Sequence, residues 1–152
     1  MKKILLTALV MLLCKFSFCQ AGNPQYDKLL ADSLGADEYG MKYYVLVILK
    51  TGTVTLEKKE ITDSLFAGHL ANIGRLARDG KLVVAGPLKK NEHDYRGIFI
   101  LNVNTKEEAN VLLATDPAIS AGLITSELFE WYGSAALPLY LPHHDKIQRS
   151  KF

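Results

Sequence analysis

The chain has 152 residues, of which 49% are hydrophobic and 22% are charged, a composition ordinary for one globular domain with one core. Its 18 Lys and Arg exceed its 16 Asp and Glu only because residues 1–19 contain three lysines and no acidic residue. Without that segment, 15 basic side chains stand against 16 acidic ones and no basic stripe remains, which excludes nucleic acid as a partner.

Residues 1–19 are typical of a cleavable secretory signal peptide. Two lysines precede an apolar run over residues 4–14, and Lys15 ends that run. A membrane-spanning helix needs about 20 apolar residues, so the run is too short to be a permanent anchor. The sequence therefore predicts an exported protein, in the periplasm or outside the cell, with no membrane segment after cleavage.

The cleavage site is expected directly after Cys19. Ser17 and Cys19 are small residues at the −3 and −1 positions, so the mature chain would begin at Gln20. A lipoprotein with its lipid on Cys19 is disfavoured, because Phe18 stands where a small residue is expected. Cleavage also removes Cys14 and Cys19, the two cysteines of the chain, so a core rather than disulfides must hold the mature domain.

The first part of the mature chain is predicted to be a leader followed by a strand. Residues 20–40 are polar and broken by Pro and Gly, with at most a short helix within residues 26–34. Residues 43–50 read YYVLVILK, aromatic and β-branched without polar alternation. This pattern predicts a strand that is buried on both faces.

A long amphipathic helix and a second strand follow. Thr62 or Asp63 is expected to cap the helix, which runs to about Arg78 and ends at an Asp-Gly pair. Its apolar positions recur at intervals of three and four residues: Leu65, Phe66, Ile73, Leu76 and Ala77. Residues 82–86, LVVAG, then predict a short apolar strand.

The remaining elements complete a βαββαβ order. Residues 97–103 predict a third strand, and Asn104 or Thr105 is expected to cap a second helix that runs through Ala114. Residues 123–132 predict the last strand. This order is that of the ferredoxin-like plait, an α+β fold with one antiparallel sheet and both helices on one face.

The other face of this sheet needs a cover. Its first three strands are apolar on both sides, and no third long helix is available in the chain. An exposed apolar sheet usually marks an interface, so we expect a face-to-face homodimer. The tail, residues 134–152, could fold back through Leu137, Leu139 and Leu141, and is expected to supplement the dimer contact.

His69 is the first candidate for chemistry. It lies four residues after Leu65 and four before Ile73, on the apolar face of the predicted helix. A polar side chain there must be hydrogen-bonded or must open onto a cavity. Spacing alone leaves both interpretations open, a satisfied core histidine or a functional one.

Asp116 is the second candidate. It precedes Pro117, which is the pattern of an N-cap before a short helix over residues 117–122, and taken alone this predicts a structural role. In the plait, however, the start of the first helix and the end of the second can come close. A carboxylate beside His69 would orient the imidazole and keep it basic near neutral pH, as proton abstraction from a small carbon acid requires.

The other polar clusters are weaker candidates. His93 and Asp94 fall in a charged loop and are expected to be solvated. His143 and His144 could bind a metal, but adjacent side chains on an extended strand point in opposite directions. No nucleotide, flavin or serine-hydrolase motif is present, so no cofactor is predicted.

Three stretches in order give the chain a resemblance to the YciI-like (YCII-related) family. They are HLANIGRLARDGKLVVAGPL, the strand from residue 96 to residue 103, and ATDPAISAGLITSELFEWY. The resemblance covers residues 43–132, and we take 41–133 as the domain. It implies a ferredoxin-like fold of the dimeric α+β barrel type.

The resemblance also implies that His69 and Asp116 match the histidine and aspartate presumed to form the family's active site. Family activities resemble elimination or isomerisation of small ring compounds without a cofactor. The expected partner is therefore a small-molecule substrate, or a ligand if the protein is instead a non-enzymatic binding dimer. The signal, the leader and the tail depart from the usual pattern and put a shared cytoplasmic substrate in doubt.

Overall fold

The computed structural model of the protein describes residues 22–150, so the expected signal peptide over residues 1–19 lies outside the described residues. The chain divides into two compact units between Leu30 and Ala31, and the second unit carries the whole sheet. Within the described range, no helix combines the length and the apolar character needed to cross a membrane.

The helices and strands follow the predicted βαββαβ order, with short additions at both ends. In chain order they are α1 (Lys28–Leu34), β1 (Met41–Thr51), α2 (Lys59–Arg78), β2 (Leu82–Pro87), β3 (Tyr95–Leu101), α3 (Lys106–Leu113), α4 (Pro117–Ser120), β4 (Ile124–Ser134), a 3₁₀ turn (Leu137–Tyr140) and α5 (Leu141–Ile147). The short helix expected within residues 26–34 is therefore present as α1.

The four strands form one antiparallel sheet in the order β2-β3-β1-β4. The two central strands are those richest in aromatic and β-branched residues, as their double-sided pairing favours. This strand order with two crossover helices is the ferredoxin-like plait. The predicted α+β fold class is confirmed.

The core lies between the sheet and the helices. Val45, Val47 and Leu49 alternate along β1 towards the helices and are buried together with Leu76 of α2 and Phe99 of β3. Burying an aliphatic or aromatic side chain of this size stabilises a fold by about 1.5–3 kcal/mol. This single layer of contacts holds α2 in place over the sheet.

The far side of the sheet is half-buried around Leu46 and Ile48, although Tyr44 on the same side is fully buried, so the prediction that β1 is buried on both faces is wrong for part of the strand in the single chain. Leu46 and Ile48 alternate with the core residues and pair with Ile100 and Ile98 of β3. All four side chains keep intermediate exposure. The open face is thus apolar but incompletely covered.

Helix α2 begins earlier than the cap signals predict. Its N-cap is Lys58, which makes no side-chain cap hydrogen bond, and neither Thr62 nor Asp63 caps the helix. The N–H of Thr62 already donates to the Lys58 carbonyl, and Asp63 pairs with Lys59 at 2.5 Å across the first turn. An i,i+4 pair of this kind stabilises a helix, so Asp63 acts inside the helix rather than before it.

The third strand and the following helix are set by local hydrogen bonds. Strand β3 ends at Leu101, two residues before the predicted end, and the next N–H, that of Asn102, donates to the Lys81 carbonyl in the turn before β2. Thr105 caps α3 as expected, and Glu108 completes a reciprocal capping box. Asn104, the alternative cap, is not used.

The tail is helical rather than extended, which corrects the geometry assumed for His143 and His144. The 3₁₀ turn and α5 both begin with a proline in the first helical turn, where its fixed φ angle favours a helix. The Tyr140 hydroxyl donates to the carbonyl of Val83 in β2. The tail therefore reaches back to β2 through Tyr140, whereas Leu139, one of the leucines expected to make that contact, is 46% exposed.

Candidate active site

Helix α2 presents His69 to the sheet. His69, Asn72 and Leu76 are the buried residues of this helix, and their spacing of three and four residues places them on one side. The imidazole lies against the ring of Phe99 at a centroid distance of 6.0 Å and meets the edge of Phe66 at 6.4 Å. His69 therefore occupies an apolar, ring-lined environment.

Asp116 lies at the start of α4 and caps it, as predicted. Its Oδ1 accepts hydrogen bonds from the backbone N–H groups of Ala118 at 3.0 Å and Ile119 at 3.2 Å. Pro117 occupies the first turn, where its missing N–H costs nothing. The cap uses one carboxylate oxygen and leaves the other for a different partner.

That partner is His69. Its Nδ1 lies 2.7 Å from Asp116 Oδ2, and only 1% of the Asp116 side chain is exposed. Burial by itself raises the pKa of the Asp116 carboxyl, but the hydrogen bond and charge of His69, with the two backbone amides, outweigh it and hold the pKa below its ordinary value of 3.8. Asp116 is therefore an anion near neutral pH.

The charge of Asp116 fixes the protonation of the ring. An ionised carboxylate only accepts hydrogen bonds, so Nδ1 carries the proton and Nε2 carries the lone pair. Nε2 has no hydrogen-bond partner among residues 22–150, and within that range no fully buried side-chain nitrogen or oxygen lacks one. Nε2 is therefore not fully buried, although only 11% of the His69 side chain is exposed.

Gly68 makes the approach of the two elements possible. A Cβ at this position would lie 2.6 Å from Cγ of Pro117, closer than real Cβ contacts allow. The absence of a side chain thus lets α2 pack against the first residue of α4 and brings His69 to Asp116. Sequence reasoning missed this role, although a glycine directly before His69 in a strong helix pattern was a signal for it.

A second set of polar side chains lies behind the pair. Asn72 Nδ2 approaches Asp116 Oδ2 at 3.5 Å, and Asn72 Oδ1 accepts from Arg75 Nη2 at 2.7 Å. The same Nη2 donates to Thr115 Oγ1 at 2.8 Å. These residues were not predicted, because only their spacing from His69 on one helix side pointed to them.

The structure also contains an open cleft of about 500 Å³ that does not include the pair. Its lining residues are Gly35, Asp37, Met41, Lys42, Tyr43, Asn104, Glu130 and Tyr132. Val47 of β1 pairs with Phe99, which packs against His69. Tyr43, which lines the cleft, lies four residues from Val47 on the same strand, about 13 Å at the usual strand rise. His69 and Asp116 are thus brought together with each other but not with this cleft.

Two aromatic rings and a carboxylate shape the cleft. The rings of Tyr43 and Tyr132 lie 5.1 Å apart, and the Tyr132 hydroxyl donates to Asp37. This hydrogen bond raises the pKa of Tyr132 to about 12 and lowers that of Asp37. The cleft therefore holds a neutral phenol beside a carboxylate near neutral pH.

The remaining candidates lie apart from both places. His93 and Asp94 are exposed in the loop before β3, and His143 and His144 are exposed on α5. Across the described part of the chain, no three His, Cys, Asp or Glu side chains are grouped as a metal site would need.

The family model described as the YCII-related domain matches residues 41–132, more than half of the chain. No curated protein matches at a significant level. One similar solved structure is that of 5-chloro-2-hydroxyhydroquinone dehydrochlorinase (TftG) from Burkholderia phenoliruptrix AC1100, in complex with 2,5-dihydroxybenzoquinone. It is 21% identical with a TM-score of 0.40, and the match covers 57% of this chain and 92% of that one.

Proposed function

The chain belongs to the YCII-related domain family, and on that premise we propose that it is a cofactor-independent lyase or isomerase acting on a small ring compound. His69 is the general base and Asp116 is the carboxylate that orients it. The observation that carries the proposal is the buried 2.7 Å contact between His69 Nδ1 and Asp116 Oδ2, which leaves Nε2 as the accessible lone pair.

The reaction begins with proton transfer from carbon to Nε2 of His69. The electron pair of the broken C–H bond, next to a carbonyl, moves into an enolate. In an elimination, the enolate then expels a leaving group with its bonding pair; in an isomerisation, the imidazolium returns the proton to a neighbouring carbon. Asp116 stabilises the imidazolium in either case, and the rings of Phe66 and Phe99 pack against the imidazole.

Deuterium exchange tests the base directly without knowledge of the natural substrate. A panel of cyclic ketones, enones and lactones is incubated with the protein in D₂O, and loss of the α-proton signals is followed by NMR. The protein should accelerate exchange of at least one compound, and His69→Asn should lower that rate by about 100-fold or more. His93→Asn, at an exposed loop position, is the matched control. Equal exchange rates for His69→Asn and the unmodified protein would contradict the assignment of His69 as the general base.

Binding without turnover is a second candidate function, and the separate cleft favours it. The cleft shares no lining residue with the His69–Asp116 pair, so it could hold a ligand while the pair remains structural. A compound that raises the melting temperature and is recovered unchanged would support this candidate. If the cleft is the binding site, the increase in melting temperature should be lost in Tyr132→Ala and kept in His69→Asn. If the ligand binds at the His69–Asp116 pair instead, the increase should be kept in Tyr132→Ala and lost in His69→Asn.

We propose that two chains pair through the open face of the sheet. Leu46 pairs with Ile100 on one side and with Phe129 on the other, and 48% of Phe129 is exposed. A second copy would cover this apolar surface. Light scattering should give the dimer mass, and Phe129→Glu should give the monomer, whereas Val111→Glu on exposed α3 should not. A monomer at all concentrations would contradict the pairing.

We propose, finally, that the protein is exported with loss of residues 1–19. The proposal rests on the lysines, apolar run and small residues of that segment. Intact mass spectrometry of the protein expressed in a bacterial host and recovered from the periplasm should give a chain beginning at Gln20. A lipid-modified Cys19 or an uncleaved chain would each contradict it.

A further inference from the structure

Asp116 has more donors around it than a simple cap requires. Oδ1 accepts from two backbone N–H groups, and Oδ2 lies near both His69 Nδ1 and Asn72 Nδ2. An ionised carboxylate offers about four lone-pair positions. Each position therefore has a donor, and Asn72 is the fourth of them.

Arg75 decides which end of the Asn72 amide faces the carboxylate. Arg75 Nη2 can only donate, and it lies 2.7 Å from Oδ1 of Asn72. The reversed amide would place an NH₂ group against the guanidinium, donor against donor. The oxygen of Asn72 must therefore face Arg75, and its NH₂ group must face Asp116.

Thr115 does not compete for this role. Its hydroxyl lies 2.6 Å from the Leu112 carbonyl and 3.2 Å from the Asn72 oxygen, so its one hydrogen goes to the nearer acceptor. The Thr115 oxygen then accepts from Arg75 at 2.8 Å. Thr115 thus helps to hold the guanidinium, and the guanidinium alone donates to the oxygen of Asn72.

We propose that Asn72 is a positioning residue for the His69–Asp116 pair, held in the required orientation by Arg75. Its Nδ2 lies 3.5 Å from Oδ2, as a second and longer donor beside His69 Nδ1. Asp116 then stays an anion that accepts one hydrogen bond from the ring and takes no proton from it. The proton bound at Nε2 during a reaction therefore remains on His69.

This inference deepens the proposed function, since it concerns the same pair, but its test needs neither substrate nor turnover. The charged or titratable groups around Asp116 are His69 and, beyond Asn72, Arg75 with its other partner Asp79. Failure of the deuterium-exchange assay would leave the positioning of Asp116 untouched. Failure of the titration below would leave general-base catalysis by His69 possible.

The test follows the Asp116 carboxyl carbon by ¹³C NMR during acid titration. Asn72→Leu, of similar volume, removes the fourth donor to the charged form, so the titration midpoint of Asp116 should move upward. Exchange of the Nδ1 proton of His69 with solvent should also accelerate about fivefold, the factor that corresponds to about 1 kcal/mol of hydrogen bonding.

Two further variants keep the test decisive if Asn72→Leu does not fold. Arg75→Met removes the guanidinium that orients the Asn72 amide, at a side chain that is 44% exposed. The titration midpoint of Asp116 should again move upward, but by less than in Asn72→Leu. Asp79→Asn removes the charge that Arg75 contacts at 3.2 Å and leaves its hydrogen bonds to Asn72 and Thr115 in place, so it should leave the midpoint unchanged. An unchanged midpoint in folded Asn72→Leu or Arg75→Met, even with a lower melting temperature, would show that Asn72 is only a tie between α2 and the end of α3.

Discussion

Asp116 and Asp37 are held in nearly the same way but in opposite surroundings. Each carboxylate accepts from two backbone N–H groups shortly after it and from one ring-borne donor, His69 Nδ1 for Asp116 and the Tyr132 hydroxyl for Asp37. Asp116 is buried, whereas Asp37 is exposed. The same local hydrogen-bond pattern therefore holds a buried histidine–carboxylate pair in one place and anchors an exposed loop in the other.

The ring donor adds a second difference. The donor to Asp116 is an imidazole, whose second nitrogen can accept a proton, whereas the donor to Asp37 is a phenol whose pKa the hydrogen bond raises to about 12. Water screens the exposed pair, and such contacts contribute little to stability. Burial together with a second ring nitrogen that is free to accept a proton makes His69 and Asp116, rather than the exposed pair, the candidate site.

The largest expected effect is that of Asp116→Asn on turnover. The two backbone N–H groups need an oxygen, so the NH₂ group of the new amide must face His69 and the imidazole must accept at Nδ1. The proton then moves to Nε2, and the base is lost. Deuterium exchange should fall by about 100-fold or more, while ¹⁵N NMR should show the reversed tautomer. An unchanged tautomer would contradict the role of Asp116.

The next largest effect is that of Gly68→Ala on stability and on the pair. The added methyl meets the Pro117 ring at 2.6 Å, so α2 and α4 must separate, at a cost of about 1–3 kcal/mol. Chemical denaturation should measure this loss. Gly74→Ala in the same helix is the control, since its methyl meets only the end of the Arg78 side chain at 3.3 Å, and it should stabilise by about 0.5–1 kcal/mol. Equal effects at the two glycines would contradict the packing argument.

A smaller effect is expected on the acid side of the stability profile. The folded-state pKa of Asp116 is depressed, so its contribution is fully present above the unfolded value of 3.8 and is lost as the pH falls through the folded value. Denaturation of the unmodified protein from pH 6 to pH 2 should show this loss. Asp116→Asn should lack it, and an identical acid slope in both proteins would contradict the depressed pKa.

The smallest effect is expected at the exposed pair. Tyr132 has a raised pKa, so its contribution is present below the ordinary value of 10.0 and is lost as the pH rises through about 12. Tyr132→Phe should barely change stability at pH 7 and should remove this alkaline loss. A large fall in stability at pH 7 would mean that the exposed pair contributes as much to stability as the buried one, and would contradict the role given to burial.

The element order could be predicted because hydrophobic periodicity and helix caps are local signals. Thr105 and Asp116 act as the caps that their positions indicate. The start of α2 could not be placed in the same way, because Thr62 and Asp63 are equally acceptable inside a helix. Local preference does not distinguish a cap from a first-turn residue when a salt bridge competes.

The candidate site was predictable only in part. His69 stood out as a polar residue in an apolar stripe, and the plait topology allowed it to meet Asp116. The supporting residues depend on distances across the fold: Gly68 against Pro117, and Asn72 against Arg75. No spacing rule predicts such contacts, because they arise from how closely α2 and α4 pack.

The tautomer of His69 tests the central claim most directly. Long-range ¹H–¹⁵N NMR of the unmodified protein, at a pH where His69 is neutral, identifies the protonated ring nitrogen. The 2.7 Å contact with ionised Asp116 predicts a proton on Nδ1 and a free lone pair on Nε2. A proton on Nε2 would mean that His69 presents a donor rather than a base to the accessible side, and would contradict the proposed chemistry.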